Sequence, residues 1–240
     1  MKYLLALLTA SFLLTLGCES GTGNDNGDPH TNKSGKFDDT DFGERFQKYF
    51  YENMEIHYTT IDTIFSTIKE GTKDVYWSEY GWKELQVTTH TATQQKEYLL
   101  IVGDKGFFWN DGDDTCYRRQ SLVAPFYQNT NSSTEDLQKD SYDFLLKGGF
   151  AGKPYTYIDG NDTTIAGINC RILTGDLGRN YIWYRGMVSL KNYTTVTSGQ
   201  ASVLTAISVD TIPQLDTMYF RVPDTMTIID IDNFGVPPTN

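Results

Sequence analysis

After residue 54 the pattern of apolar and polar side chains predicts strands nearly everywhere, in several runs with a period of two, the repeat of a strand that buries one face. Val75 and Trp77, then Leu85 and Val87, alternate with Asp74, Ser78, Glu84 and Gln86, and Tyr80-Gly81 between the two runs predicts a hairpin. Tyr98 to Val102 is a continuous apolar strand that returns through Gly103-Asp104-Lys105-Gly106 into Phe107-Phe108-Trp109. Asn110-Asp111-Gly112-Asp113-Asp114 then turns the chain into Cys116-Tyr117-Arg118. Further strand pairs are predicted around turns at Asp159-Gly160-Asn161-Asp162 and Gly175-Asp176-Leu177-Gly178, and strands over Tyr181 to Met187, Val203 to Val209 and Met218 to Val222. The turn spacing is that of an antiparallel meander.

Two segments carry the helical period instead. Thr40 to Tyr51 places Phe42, Phe46, Tyr49 and Phe50 on one helix face, with Asp39 or Thr40 as cap. Ser133 to Lys147 has Ser133 as N-cap, Glu135 and Asp136 in the first turn, Leu137, Phe144 and Leu145 as its apolar face and Gly148 as its stop. The fold class expected is therefore mainly β: a curved antiparallel meander with one or two flanking helices. No interior linker is visible, so residues 37–240 are expected to form a single β-rich domain.

The N-terminus has a different pattern. Met1-Lys2 is followed by an apolar run to Leu16, too short for a bilayer span and placed like an export signal, so residues 1–17 are excluded from the fold. Leu14-Thr15-Leu16-Gly17-Cys18 resembles the lipobox of bacterial lipoproteins, which implies cleavage before Cys18 and lipid attachment at its thiol, with Thr15 and Leu16 less usual in the middle positions. An ordinary signal peptide with an incidental Cys is the alternative. Residues 18–36 have almost no apolar side chain and read as a flexible tether. Its acidic flavour loosely resembles the export signals of Bacteroidetes lipoproteins. The expected location is the outer membrane, lipid-anchored, with periplasmic and cell-surface faces both open.

Charge narrows the partners. Thirty-one acids against 20 bases give a formal net charge of −11, and loss of Lys2 with the signal makes it −12, a poor surface for nucleic acid or anionic headgroups. Asp-Thr followed by an apolar residue or Thr recurs at Asp62, Asp162, Asp210, Asp216 and Asp224. The tripeptide resembles the O-glycosylation acceptor of Bacteroidetes envelope proteins, and it equally suits a turn in which Asp precedes a β-branched residue entering a strand. With Cys18 assigned to lipid, Cys116 and Cys170 remain in an oxidising compartment. A bridge between them would close a loop of about fifty residues and contribute about 4 kcal/mol; two independent buried thiols are the alternative.

Chemistry is sparse. The chain lacks a GxSxG elbow, an HExxH, a Walker loop and a CxxC, and His30, His57 and His90 show no ligand spacing, so no catalytic residue, metal or cofactor is assigned. Asp111, Asp113 and Asp114 lack the twelfth-position Glu of a calcium loop and read as a polar hairpin tip. Trp77, Trp82, Phe107, Trp109, Trp183 and Tyr184 are the aromatic candidates: core packing, lining of a ligand cavity, or a platform for sugar rings. Trp77 and Trp82 have opposite parity and share a face only if the hairpin changes register.

The phrases Gly71-Thr72-Lys73-Asp74-Val75-Tyr76-Trp77-Ser78-Glu79-Tyr80-Gly81-Trp82-Lys83-Glu84, Thr164-Ile165-Ala166-Gly167-Ile168-Asn169-Cys170 and Ile182-Trp183-Tyr184-Arg185-Gly186-Met187 resemble envelope proteins of the periplasmic lipoprotein-carrier superfamily. The resemblance covers roughly residues 54–225 as an order of strand phrases. It implies an unclosed half-barrel whose concave face holds acyl chains beneath covering helices. A transport role does not follow, because this chain is itself expected to be anchored. The expected function is a non-enzymatic envelope lipoprotein that binds lipid or another apolar ligand; a surface glycan-binding lipoprotein and a structural subunit of an envelope complex are the alternatives.

Overall fold

The period-two runs form strands, and every strand described joins one sheet. A computed structural model describes residues 48–64, 67–120, 155–176, 178–183, 188–197 and 200–231. The first meander comprises β1 (Met54–Ile64), β2 (Thr67–Ser78), β3 (Lys83–His90), β4 (Lys96–Val102), β5 (Lys105–Asn110) and β6 (Thr115–Gln120). The second comprises β7 (Thr156–Ile165), β8 (Ile168–Gly175), β9 (Gly178–Trp183), β10 (Val188–Thr197) and β11 (Gln200–Asp210), and a short β12 (Thr227–Asp230) follows. Their spatial order is β12-β6-β5-β4-β3-β2-β1-β11-β10-β9-β8-β7.

The two meanders meet along the long antiparallel β1–β11 pair, from Glu55↔Asp210 to Ile64↔Gln200. β12 crosses over to lie parallel beside β6, where the Arg118 guanidinium grips the Asp230 carboxylate at 2.6 and 2.8 Å. β12 and β7 are left as the two edges, so the sheet is unclosed, as the sequence pattern and the carrier resemblance predict. It is also strongly curved. β7 comes back into contact with β11 although three strands lie between them.

Both faces bury apolar side chains. On the outer face, Leu85, Leu100, Val102, Phe107, Trp109 and Cys116 pack with Ile228 of β12 and with Phe220 and Val222 of the C-terminal segment. Fully burying each of these three C-terminal side chains contributes about 1.5–3 kcal/mol. On the concave face, Met54, Ile56, Tyr58, Val75 and Trp77 pack with Cys170, Val188, Leu190 and Ala206 from the far side of the curl.

The β2–β3 hairpin links the two clusters. Its turn, Glu79–Gly81, holds three successive residues in the left-handed region, with φ of 54, 59 and 85°. Trp77 enters the concave cluster and Trp82 the outer one, so the two do not share a face, in keeping with their opposite parity. Gly81 serves a second purpose, because a Cβ there would collide with the Tyr49 ring.

Several expectations are corrected. Met218 to Val222 is not a strand: Thr217–Phe220 is a 3-10 turn, capped by Asp216, whose Oδ1 accepts from the Met218 backbone N–H at 2.9 Å. Asp210 does the same for Ile212 at 2.9 Å, so at these two Asp-Thr copies the side-chain oxygen competes with the sheet and ends the extended run. Asp159 to Asp162 is not a hairpin turn but an irregularity inside β7, where the register shifts between Tyr157 and Asp162. The reversal comes later, at Ala166-Gly167, both with positive φ. Residues 48–51 of the first predicted helix are an irregular strap, because the Lys48 and Tyr49 N–H groups go to the Tyr80 carbonyl, both at 2.9 Å, rather than back one helical turn.

The expected Cys116–Cys170 bridge is not formed. Both thiols are free and buried, and eight strands separate β6 from β8 in the sheet, whereas a disulfide needs Cα atoms within about 7 Å. Burial pushes Cys116 up to about 12 and Cys170 up to about 11, which suppresses thiolate reactivity. The signal segment, Cys18, the tether, residues 40–47 of the first predicted helix and the whole of the second lie outside the described residues.

Candidate functional site

The period of two places three cross-strand rows on the concave face of β1, β2 and β3. They are Met54–Trp77–Glu84, Ile56–Val75–Gln86 and Tyr58–Lys73–Thr88. Each row runs from an apolar or aromatic side chain on β1 to a polar one on β3. Glu84 is only 2% exposed and Gln86 8%, so this polar end is as buried as the apolar core beside it.

What buries it is the strap, Lys48 to Glu52. Its backbone is tied to the hairpin turn through the two bonds to the Tyr80 carbonyl, and the Tyr80 N–H donates back to the Glu52 carbonyl at 2.9 Å. The Trp77 indole N–H donates to the Tyr51 carbonyl at 3.2 Å. Tyr49 stacks on Trp77 with centroids 3.9 Å apart and planes 20° from parallel. Two residues on, Tyr51 stacks on Trp183 of β9 at 5.1 Å. The strap thus spans the concavity from β2 to β9, and each stacked pair adds about 0.5–1.5 kcal/mol beyond its buried area.

Glu84 is the polar centre of this arrangement. Its Oε2 accepts from the Lys48 ammonium and, at 2.9 Å, from the Tyr49 hydroxyl; its Oε1 accepts from the Gln86 amide at 2.5 Å. Burial alone would push the carboxyl up. The Lys48 charge and the hydrogen bonds from Lys48, Gln86 and Tyr49 outweigh it, and the group sits below the ordinary carboxylate range. Lys73 is lowered by burial, an effect partly offset by the Glu84 charge. Tyr58 donates to the Ser189 carbonyl at 3.1 Å, and burial raises its phenol far above the usual value.

Chemically this is an internally paired carboxylate set in an apolar wall. A carboxylate held ionised by three donors is a poor proton acceptor at neutral pH and is suited instead to holding positive charge.

Of the aromatic candidates, only Trp77 and Trp183 are brought together on the concave side, through Tyr49 and Tyr51. Trp82, Phe107 and Trp109 lie in the outer cluster beneath Phe220 and Val222, as core packing. Tyr184, like Cys18, is outside the described residues. At the hairpin tip, Asp113 accepts from both the Asn110 backbone and its amide at 2.9 Å, the geometry of a turn. Lys48, Tyr49, Lys73, Glu84 and Gln86 are not among the sequence candidates. Glu84 and Gln86 alternate with Leu85 and Val87 and so read as the solvent-facing half of a strand. The strap that covers them comes from 36 positions upstream, beyond any local pattern.

No family model and no curated protein matches the chain. Among solved structures it is similar to an uncharacterized conserved protein from Thermus thermophilus, with TM-score 0.47 and 7% identity over 76% of this chain and 92% of that one. It is also similar to a LolA superfamily protein from Nitrosomonas europaea, with TM-score 0.37 and 11% identity over 73% and 92% of the two chains. A third is a DUF1329 family protein from Desulfovibrio piger ATCC 29098, with TM-score 0.33 and 13% identity over 72% and 90%. At these scores the likeness is one of outline, and the fold stands on the strand order itself.

Proposed function

We propose that this chain is a non-catalytic lipoprotein of the cell envelope, anchored to the outer membrane through acylated Cys18, whose concave sheet face holds an apolar ligand such as an acyl chain. The observation that carries the ligand reading is the strapped face itself. Met54, Ile56, Val75 and Trp77 form a continuous apolar wall, and a short strap covers it with the aromatic rings of Tyr49 and Tyr51. A wall of this kind needs an apolar occupant, and replacing two stacked rings with an acyl chain conserves the burial. The anchor rests on the Gly17-Cys18 junction and the polar tether behind it.

Titration of the purified, delipidated full chain with a fluorescent fatty acid tests the reading. Saturable uptake accompanied by a change in tryptophan emission is expected, and no uptake refutes it. For the anchor, labelled palmitate is expected on the wild type and not on Cys18→Ala.

One observation favours a second reading, a subunit of an envelope complex. On the outer face of the central strands Ile61 and Tyr193, 42% and 45% exposed, flank Val203 in register, with Ile68, 64% exposed, on the neighbouring strand. Native mass spectrometry of protein taken from its own membrane separates the two, since retained lipid and retained protein differ in mass.

A further inference from the structure

We propose that Lys48-Tyr49 is an internal stand-in for the ligand, and that the class it imitates is an amphiphile with a primary ammonium headgroup, received by Glu84, and an apolar portion laid on Trp77. The proposal rests on the apolar-ligand reading above and adds the chemistry of the headgroup.

The bonds to Glu84 divide between sheet and strap. Oε1 is served by Gln86, two residues along the same strand, and that bond stays with the sheet whatever the strap does. Oε2 is served only by strap groups among the bonds described, the Lys48 ammonium and the Tyr49 hydroxyl. Displacing the strap therefore strips one oxygen of a buried carboxylate of a charge and two donors at once. A ligand that replaces Tyr49 on Trp77 without replacing those donors leaves the carboxylate uncompensated in an apolar wall.

A primary ammonium has three N–H donors and one positive charge, so a single group replaces both strap donors. A quaternary ammonium carries the charge without any N–H and satisfies neither bond. A purely anionic headgroup brings like charge to Glu84. On the same face, Lys73 stands two rows from Glu84 and offers its amino group as a donor to an acidic group beside the ammonium. A zwitterionic aminolipid presents both groups. Tyr49 over Trp77, with the Lys48 ammonium 4.6 Å from the Tyr49 ring, shows the same order of groups in the strap: cation, then flat apolar surface.

Short-chain phosphatidylethanolamine, phosphatidylcholine and phosphatidylglycerol, each below its micelle concentration, are titrated into the delipidated full chain while tryptophan emission is followed. The ethanolamine lipid is expected to bind about tenfold or more tightly than the other two, the discrimination of a buried group that must keep its hydrogen bonds. Lys48→Met is expected to raise affinity for the ethanolamine lipid alone, by about tenfold, because the internal competitor for Glu84 is gone. Glu84→Gln is expected to bring the three lipids to similar affinity. Circular dichroism confirms that each variant is folded, and if Glu84→Gln does not fold, the headgroup-restricted gain in Lys48→Met carries the test. Equal affinities in the wild type, or a preference that survives Glu84→Gln, overturn the headgroup assignment while leaving apolar binding intact. Binding of neither these lipids nor the fluorescent fatty acid overturns the apolar-ligand reading, and this proposal with it.

Discussion

Lys48→Met should destabilise the protein more than Glu84→Gln, although the two side chains form one ion pair. The Lys48 side chain is 13% exposed and that of Glu84 3%, so the pair is asymmetric with respect to water. Removing one partner of a buried pair typically costs about 3–5 kcal/mol, because the other charge is left uncompensated. Here Glu84 keeps the Tyr49 hydroxyl and the Gln86 amide, which places Lys48→Met at the lower end, about 3 kcal/mol. In Glu84→Gln the ammonium left behind belongs to the more exposed partner of the pair. The amide still accepts at one oxygen, so about 1–2 kcal/mol is expected. Together the changes should cost less than their sum, with a coupling of about 2 kcal/mol. Urea unfolding of the four proteins at pH 7 measures it. The depressed carboxyl of Glu84 adds a sign: its contribution is present above the ordinary value of 4.5 and is lost as pH falls through the lower folded value, so the coupling should shrink on acidification. A coupling below about 0.5 kcal/mol at pH 7, or Glu84→Gln costing more than Lys48→Met, refutes the account of Glu84 as a buried anion compensated from the strap.

Three further outcomes are expected. His57 has Nδ1 2.7 Å from Asp74 Oδ1 and Nε2 2.9 Å from Glu55 Oε1, and the Asp74 hydrogen bond chiefly raises its pKa above 6.5. Its stabilising effect is therefore full below pH 6.5 and lost as pH rises through the raised folded value; an NMR titration that leaves His57 unmoved by Asp74→Asn would show the bond to be inert. Alkylation of the denatured protein without reductant should modify both Cys116 and Cys170, whereas a linked peptide pair in a non-reducing digest would contradict their separation in the sheet. Gly81→Ala should lose more than about 1 kcal/mol in thermal or urea unfolding, since φ is +85° and the new Cβ meets the Tyr49 ring. Wild-type stability in that variant would mean that the strap does not rest on the turn.

Much of the meander is legible because its determinants are local. Val75, Trp77, Leu85 and Val87 alternate within short runs, and Gly103-Asp104 and Asn110 to Asp114 are turn chemistry between such runs, so β2 to β6 follow from sequence distances of a few residues. Where two local preferences compete, pattern alone chooses badly. Asp159 to Asp162 has turn residues yet remains within β7, because strand pairing on both sides absorbs the extra residues as a bulge. Met218 to Phe220 has strand composition yet turns, because Asp216 offers its carboxylate to the backbone first. The parallel join of β12 to β6, between Thr227↔Thr115 and Asp230↔Arg118, depends on the covering of Trp109 and Cys116 by Phe220 and Val222, and no period in either segment announces it.

The site is less legible for a reason that bears on what it does. Period-two alternation identifies which residues of one strand share a face, and it sets Glu84 and Gln86 together. It cannot say whether that face is wet. Among polar side chains on a strand, solvent is the usual partner, so Glu84 and Gln86 read as surface and the aromatic residues draw attention instead. Burial here is imposed by Lys48 and Tyr49, which are fixed in place by the Tyr80 carbonyl at a left-handed turn and by the Trp77 ring. A core designed only for stability would place an apolar residue at position 84, since replacing a buried ion pair with hydrophobic side chains is often neutral or stabilising. Here the anion faces a detachable partner on a strap whose two tyrosines rest on an apolar wall. That combination is costly as architecture and makes sense as a binding site that is filled from within until a ligand carrying the same groups takes the place of the strap.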